Sequence, residues 1–322
     1  MKIEFRIKRY NPDDGGSPEP YFQAYMVDVT EGMTVLEALL KISEEQDATL
    51  AFRKSCRSAI CGSCAMTVNG TARLTCNLQV LPELEKMGSM TIEPLHNHRP
   101  VKDLVVDMTP FWNKIEKVSP YLMPSQESAS NAVTAEAEEL IDQSQRCVMC
   151  GCCNSECSAL EIDERFVAPA ALAKAWRFVG DVREGSGAKR LERLSEEHGM
   201  WDCVRCVRCT QYCPKGVSPL KQIERLRSAA MKARILDNHG AKHVEAMASS
   251  VEKFGRLDEA AMTFKTLGFL KSLGKIPLGI RMELHGKMPH PYIVAQIEEI
   301  EEVREIYKEV EKKAGLKEKK KE

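Results

Sequence analysis

Ile3, Phe5 and Ile7 alternate with polar and charged residues in the opening "MKIEFRIKRY". A period of two marks a strand with one face buried. The pattern changes at "TVLEALLKISEE", where Val35, Leu36, Leu39 and Leu40 share a helical face and Thr34 stands before them as a candidate N-cap. Asn69-Gly70 divides two β-prone runs in "CAMTVNGTARLTC" and predicts a hairpin. "SMTIEPL" offers one more strand, so residues 1–105 read as mixed sheet and helix.

Polar, Pro-containing stretches follow in "LHNHRPVKDLVVDMTPFW" and "SPYLMPSQESASNAVT". They predict a linker around residues 98–135, with 106–134 as the span between two domains. From Ala135 to about Asp237 the periodicity is helical, in pieces broken by cysteine clusters. "PAALAKAWRFVGD" opens on Pro169, a residue favoured in a first helical turn. Residues 238–322 carry no cysteine. They contain "HVEAMASSVEKFGRL", the Pro/Gly-rich "GKIPLGIRMELHGKMPHP", and a last predicted helix with Val294, Ile297, Ile300, Val303, Tyr307 and Val310 on one face. The closing "KEKKKE" reads as a frayed, solvated end. The plan is therefore a first domain at 1–105, the linker, a helical domain at 135–237 and a helical extension at 238–322.

Composition narrows the function. Hydrophobic residues make up 43% of the 322, enough for a packed core. A net charge of -1 and an aromatic content of 6% supply neither the basic field nor the stacking platform of a nucleic-acid binder. No apolar run approaches the roughly 18–20 residues that cross a bilayer, and the N-terminus lacks the apolar core of a secretory signal. Thirteen cysteines stand out. Disulfide frameworks suit small secreted domains, so thiolate ligation in a reducing compartment is the better reading.

Twelve of the thirteen fall into three sets of four. Cys56, Cys61, Cys64 and Cys76 show the C-x₄-C-x₂-C…C spacing of plant-type [2Fe–2S] sites. Small residues between them, Ser58, Ala59, Gly62 and Ser63, would let backbone N–H groups turn toward the sulfurs. A zinc site more commonly pairs C-x₂-C knuckles at other intervals. "CVMCGCCNSEC" and "CVRCVRCTQYCP" each carry C-x₂-C-x₂-C-x₃-C, the duplicated rhythm of two-cluster ferredoxins, in which the fourth cysteine ligates the other cluster. That rule assigns Cys147, Cys150, Cys153 and Cys213 to one [4Fe–4S] cluster, and Cys157, Cys203, Cys206 and Cys209 to a second. Cys152, at the wrong phase, reads as a small packed thiol. The seven histidines form no ligand constellation and read as surface residues. Arg205 and Arg208 suggest help in setting a cluster's potential, or partner docking.

The order of these sets, with "RSAICGSCAM", "LTCNLQVLPEL", "CVMCGCCNSEC", "PAALAKAWRF" and "CTQYCPKGVSPLKQI", resembles the iron–sulfur subunit of succinate dehydrogenase and fumarate reductase over about residues 1–235. The resemblance implies an α+β chain: a β-grasp ferredoxin domain joined to an α-helical two-cluster ferredoxin domain, here with a helical C-terminal extension. It implies a flavoprotein partner holding FAD, and one-electron transfer between that flavin and a quinone or other distal acceptor. It implies no catalytic residue in this chain.

Two departures from the familiar members stand out. Those members lack a cysteine at the position of Cys206 and hold a [3Fe–4S] cluster there. Here Cys206 restores a fourth ligand, so a second [4Fe–4S] cluster is expected, with [3Fe–4S] the alternative if Cys206 stays out. The Pro, Trp pair and His of the usual quinone pocket are matched by Ser158, by Glu161 and Ile162, and by Val204. Both departures resemble the E-type succinate dehydrogenases and the related methylmenaquinol- or thiol-linked fumarate reductases. In those complexes a heterodisulfide-reductase-like subunit with cysteine-rich CCG domains replaces membrane-spanning anchors. The tail is similar to the C-terminal region of the small iron–sulfur subunit of heterodisulfide reductases. Met247, Met262, Met282 and Met288 there suit docking or core filling equally. The expected partners are the flavoprotein and a CCG-domain subunit or membrane anchor, with quinone reached indirectly. The expected place is the periphery of the cytoplasmic membrane, on its cytoplasmic face, with export alongside a partner left open. The alternative is the iron–sulfur arm of a heterodisulfide-reductase-like or 2-hydroxy-acid oxidase complex, against which the first cysteine set weighs.

Overall fold

The computed structural model describes residues 1–13, 19–125, 132–287 and 295–313. It divides into two compact units, Met1–Leu194 with His198–Leu226, and Ser195–Glu197 with Arg227–Glu322.

The first unit opens with a five-stranded sheet of β1 (Lys2–Arg9), β2 (Tyr21–Asp28), β3 (Ala65–Val68), β4 (Thr71–Leu74) and β5 (Met90–Glu93), in the order β2-β1-β5-β3-β4. β1 runs antiparallel to β2 and parallel to β5. Ile3, Phe5 and Ile7 are buried, as their alternation predicts. They share one core with Val35, Ala38, Leu39 and Ile42 of helix α1 (Val35–Glu45) and with Val80 of α2 (Val80–Met87). This is the expected β-grasp ferredoxin arrangement. Thr34 caps α1 in a reciprocal box: its Oγ1 accepts the Glu37 N–H at 3.2 Å, and Glu37 Oε2 accepts the Thr34 N–H at 2.8 Å. Asn69 and Gly70, at φ 48° and 78°, form the two-residue turn between β3 and β4.

A buried charge knot fixes the chain leading to the first cysteine set. Asp103 Oδ1 accepts from Arg9 Nε at 2.9 Å and from the Tyr10 N–H at 3.0 Å, while Oδ2 accepts from the Ala51 N–H at 2.8 Å. Arg9 also donates to Asp47 at 2.5 Å and Thr49 at 2.9 Å. The stretch read as a linker contains structure. β6 (Pro100–Lys102) and β7 (Val105–Val106) form a ribbon, and α3 (Thr109–Lys117) buries Phe111 and Ile115.

The helical part follows the expected pieces: α4 (Ala135–Gln145), α5 (Cys152–Ser155), α6 (Ser158–Ile162), α7 (Pro169–Val179), α8 (Gly187–Leu194), α9 (Arg208–Gln211) and α10 (Pro219–Lys232). Pro169 does open α7, and Pro219 opens α10. In the second unit, α11 (His239–Phe254) contacts α12 (Glu259–Leu267) and α15 (Ile300–Lys313). The last helix is shorter than its apolar spacing predicts. Ile297 precedes it, with its N–H on the Phe254 carbonyl at 3.1 Å; Val310 is exposed, and Val294 lies outside the described residues. α13 (Phe269–Leu273) and α14 (Ile276–Leu284) present Phe269, Leu270, Ile280 and Leu284 to solvent. Among the described residues no helix is long and apolar enough to cross a membrane.

Candidate iron–sulfur sites

The first set lies on a loop whose backbone turns inward. Arg57, Ala59 and Gly62 take positive φ of 55°, 54° and 75°. The N–H groups of Ser58, Ile60 and Cys61 then reach Cys56 Sγ at 3.4, 3.4 and 3.3 Å, and that of Ala59 reaches Cys76 Sγ at 3.2 Å. Such donors stabilise the thiolate form a cluster needs. Cys64 packs with Leu36, Leu40 and Leu74, and burial pushes its thiol up to about 11. Cys61 is exposed, and hydrogen bonding, chiefly from the Ser63 hydroxyl, brings its thiol down to about 6.

Cys147, Cys150, Cys153 and Cys213 line one small cavity, partly open to solvent. Ala170 and Ala173 of α7 form part of its wall. Four cysteines lining one space are the donor set that a cubane cluster takes. The Val217 N–H lies 3.4 Å from Cys213 Sγ. Burial, and then the nearby Cys150 and Cys213 sulfurs, raise the Cys147 thiol.

Cys157, Cys203, Cys206 and Cys209 also come together. Burial, then the neighbouring Cys203 and Cys157, push Cys209 up to about 12. Burial, then Cys203 and Cys206, raise Cys157. The two duplicated runs share a backbone. Met149 and Gly151 flank Cys150 at φ 54° and 84°; Arg205 and Val207 flank Cys206 at 57° and 68°. Gly151 then caps α5 and Val207 caps α9, each a four-residue helix. Cys206 thus stands in its run where Cys150 stands in the first. Among the described residues no three His, Cys, Asp or Glu side chains converge on a single-ion site.

Contacts between the three loops are the part that sequence reasoning missed. A Cβ added to Gly62 would meet Cys150 Cβ and the Val148 carbonyl, each at 2.9 Å. Lys215 Nζ donates to the Ala59 carbonyl at 3.3 Å. Asn97, at φ 57°, donates through Nδ2 to the carbonyls of Asn154, Ser155 and Cys157 at 2.9, 3.3 and 3.1 Å. The buried Glu156 accepts the Ala72 N–H of β4 at 2.8 Å and pairs with Arg208. Cys152 is fully buried with Ala72, Leu95 and Val106. Its neighbour Cys150, then burial, hold its thiol far above the ordinary range.

Three of the described histidines, His98, His198 and His243, are half-buried and depart from the surface reading. His98 is half-buried beside Phe111, with Nδ1 2.8 Å from the His96 carbonyl, and burial lowers its pKa. His198 Nδ1 lies 3.3 Å from Asp163, close in sequence to Ile162. Ile162 and Val204 themselves are 88% and 65% exposed.

Residues 4–113 match the family described as a 2Fe-2S iron-sulfur cluster binding domain, and residues 143–217 match the 4Fe-4S dicluster domain family. The chain is 36% identical over 235 residues to the mitochondrial succinate dehydrogenase [ubiquinone] iron-sulfur subunit 1 of Oryza sativa subsp. japonica, covering 71% of this chain and 82% of the rice protein. The chain belongs to the family of succinate dehydrogenase iron–sulfur subunits. As a member, this iron–sulfur subunit is an electron-transfer component of an oxidoreductase complex. Its fold is similar to a chain of the Mycobacterium smegmatis Sdh1 complex in the apo form, at a TM-score of 0.63 and 22% identity, covering 72% of this chain and 98% of that one. A hypothetical protein from Helicobacter pylori is similar at a TM-score of 0.51 and 14% identity, covering 78% of this chain and 43% of that one. At these identities both likenesses speak for the fold alone.

Proposed function

We propose that this subunit is the electron relay of an E-type succinate dehydrogenase or fumarate reductase, with two cubane clusters beside its [2Fe–2S] cluster. Cys56, Cys61, Cys64 and Cys76 hold the first cluster, Cys147, Cys150, Cys153 and Cys213 the second, and Cys157, Cys203, Cys206 and Cys209 the third. Bound there, the clusters supply one-electron chemistry. The chain's own residues ligate them, aim N–H groups at sulfur and hold the three loops against each other.

The observation that supports four thiolates at the third site is the repeated backbone. Cys206 lies between two residues of positive φ, as Cys150 does. The two ends of the chain's cysteine path are open. Ile60 and Cys61 are exposed on the first loop, as are Val204, Cys206 and Val207 on the last. The first end meets a flavoprotein carrying FAD. The last meets a CCG-domain, heterodisulfide-reductase-like subunit, through which quinone is reached indirectly. Ser158, Glu161, Ile162 and Val204 supply no aromatic wall for a quinone bound directly, which favours this partner over a conventional anchor. The functional division follows as 1–105 for the [2Fe–2S] domain, 106–134 for the connection, 135–237 for the cubane domain and 238–322 for partner docking. The complex lies at the periphery of the cytoplasmic membrane, on its cytoplasmic face.

Low-temperature EPR on anaerobically purified protein tests this. The expected result is a silent oxidised sample that gains one [2Fe–2S] and two interacting [4Fe–4S] signals on dithionite reduction. A near-stoichiometric [3Fe–4S] signal that added iron does not abolish would remove Cys206 from the ligand set and return the chain to the conventional quinone-coupled type.

A further inference from the structure

Glu156 is a carboxylate with no exposed side-chain surface, placed in the chain between Cys153 and Cys157. Its two oxygens face two different loops. Oε1 accepts the Ala72 N–H at 2.8 Å, on the strand that precedes Cys76. Oε2 accepts from an Arg208 guanidinium nitrogen, in the run between Cys206 and Cys209. The segment around Glu156 is itself held, since Asn97 bonds the carbonyls of Asn154, Ser155 and Cys157 and the His96 N–H donates to Ser155 Oγ at 2.9 Å. Arg208 lies with its guanidinium carbon 5.8 Å from the Tyr212 ring centre, and Arg73 approaches the same ring at 5.7 Å. Glu156 and Arg208 each adjoin a cysteine assigned to the third site, Cys157 and Cys209.

A buried carboxylate costs several kcal/mol to desolvate unless it is paired and hydrogen-bonded. A mere tie between loops needs no such charge, because an amide would bond Ala72 equally well. What the charge does differently is act on electron affinity. Cluster potentials respond to nearby net charge and burial. The two charges differ in exposure. Glu156 is enclosed, whereas the Arg208 side chain is 47% exposed and screened by water.

We infer that the Glu156–Arg208 pair is a positioning and charge-setting element for the group held by Cys157, Cys203, Cys206 and Cys209, with Glu156 holding its potential down and Arg208 offsetting it. This inference rests on the ligand set proposed above for that site.

The test is an EPR-monitored redox titration of the purified holoprotein in E156Q, R208Q, R208K and E156Q/R208Q. E156Q keeps an acceptor for the Ala72 N–H and removes the negative charge, so the potential of the cluster assigned to Cys157, Cys203, Cys206 and Cys209 should rise. R208Q should lower it, by less, because its charge is half in water. The double variant should return toward wild type, and R208K should stay close to it. Single variants that leave the potential where it was, or that move it in the same direction, overturn the proposal, since lost packing has no reason to follow charge sign. If E156Q fails to assemble, the R208Q and R208K comparison still decides. A [3Fe–4S] signal in the wild type would instead refute the ligand assignment, and the sign pattern would remain measurable on that cluster.

Discussion

Gly62 is where the [2Fe–2S] loop touches the first cubane loop, and Gly62→Ala measures what that contact is worth. Two terms oppose the added methyl. The residue has φ +75°, which costs an L-residue roughly 1–2 kcal/mol. The new Cβ would also lie 2.9 Å from Cys150 Cβ and 2.9 Å from the Val148 oxygen. Carbon atoms pack best at about 3.5–4.0 Å, so one loop must retreat by roughly 0.6–1 Å. Overpacking of that kind costs about 1–3 kcal/mol. The sum is about 2–5 kcal/mol, or a fall of roughly 4–20 °C in melting temperature for a unit of this size.

Gly70→Ala is the control. Gly70 has φ +78° and nothing within 4 Å of its missing Cβ, so only the backbone cost applies, about 1–2 kcal/mol. Thermal unfolding of both anaerobic variants gives the difference. The excess of G62A over G70A should be about 1–3 kcal/mol. G62A alone should also weaken the magnetic interaction between the reduced [2Fe–2S] and its neighbour, because the loops are pushed apart. If G62A loses no more stability than G70A and keeps the same EPR line shape, the two loops are not in contact through Gly62.

Asp103→Ala strands the Arg9 guanidinium, which is nearly buried, and frees the Tyr10 and Ala51 N–H groups. Breaking a buried pair on one side costs about 3–5 kcal/mol, readable as a lower urea midpoint. The matched positions in the two duplicated runs should respond oppositely. Val207→Gly relieves a β-branched residue at φ 68° and should be neutral or stabilising by up to about 1 kcal/mol, while Gly151→Val adds strain and overpacking of about 2–5 kcal/mol in melting experiments. For pH dependence, burial holds the folded His98 below its ordinary pKa. The unfolded chain binds that proton near 6.5 and the folded chain resists it, so stability should fall as pH drops below about 6.5. Denaturation at about pH 7.5 and about pH 5.5 should show this slope, reduced in H98Q.

Local order was legible because it rests on local rules. The period of two in Ile3, Phe5 and Ile7, the Thr34 box and the Asn69-Gly70 turn are each decided within a few residues, and each is present. The final helix misled because Ile297 continues the apolar spacing of a helix while its backbone bonds across to Phe254. Periodicity records which residues want burial, and cannot say whether a helix or a docked loop provides it. The stretch at 98–135 misled for the converse reason, since Pro and polar residues there surround the short apolar set of Phe111 and Ile115 that anchors α3.

The cysteine spacing supports the proposed ligand sets, yet it is silent on how one loop approaches another. Ala72 and Glu156 are 84 residues apart, Asn97 and Cys157 are 60, and Ala59 and Lys215 are 156. Apart from Cys157, which takes part through its backbone carbonyl, none of these residues belongs to a spacing rule. Each acts through hydrogen bonds that only the folded chain can supply, three from Asn97 and two to Glu156. On the proposed ligand sets the thiolates would fix what each cluster is, whereas Gly62, Asn97, Glu156 and Lys215 fix how the loops approach one another. Variants of this second group should therefore load their clusters and still misplace or mistune them, whereas cysteine variants should change the clusters themselves.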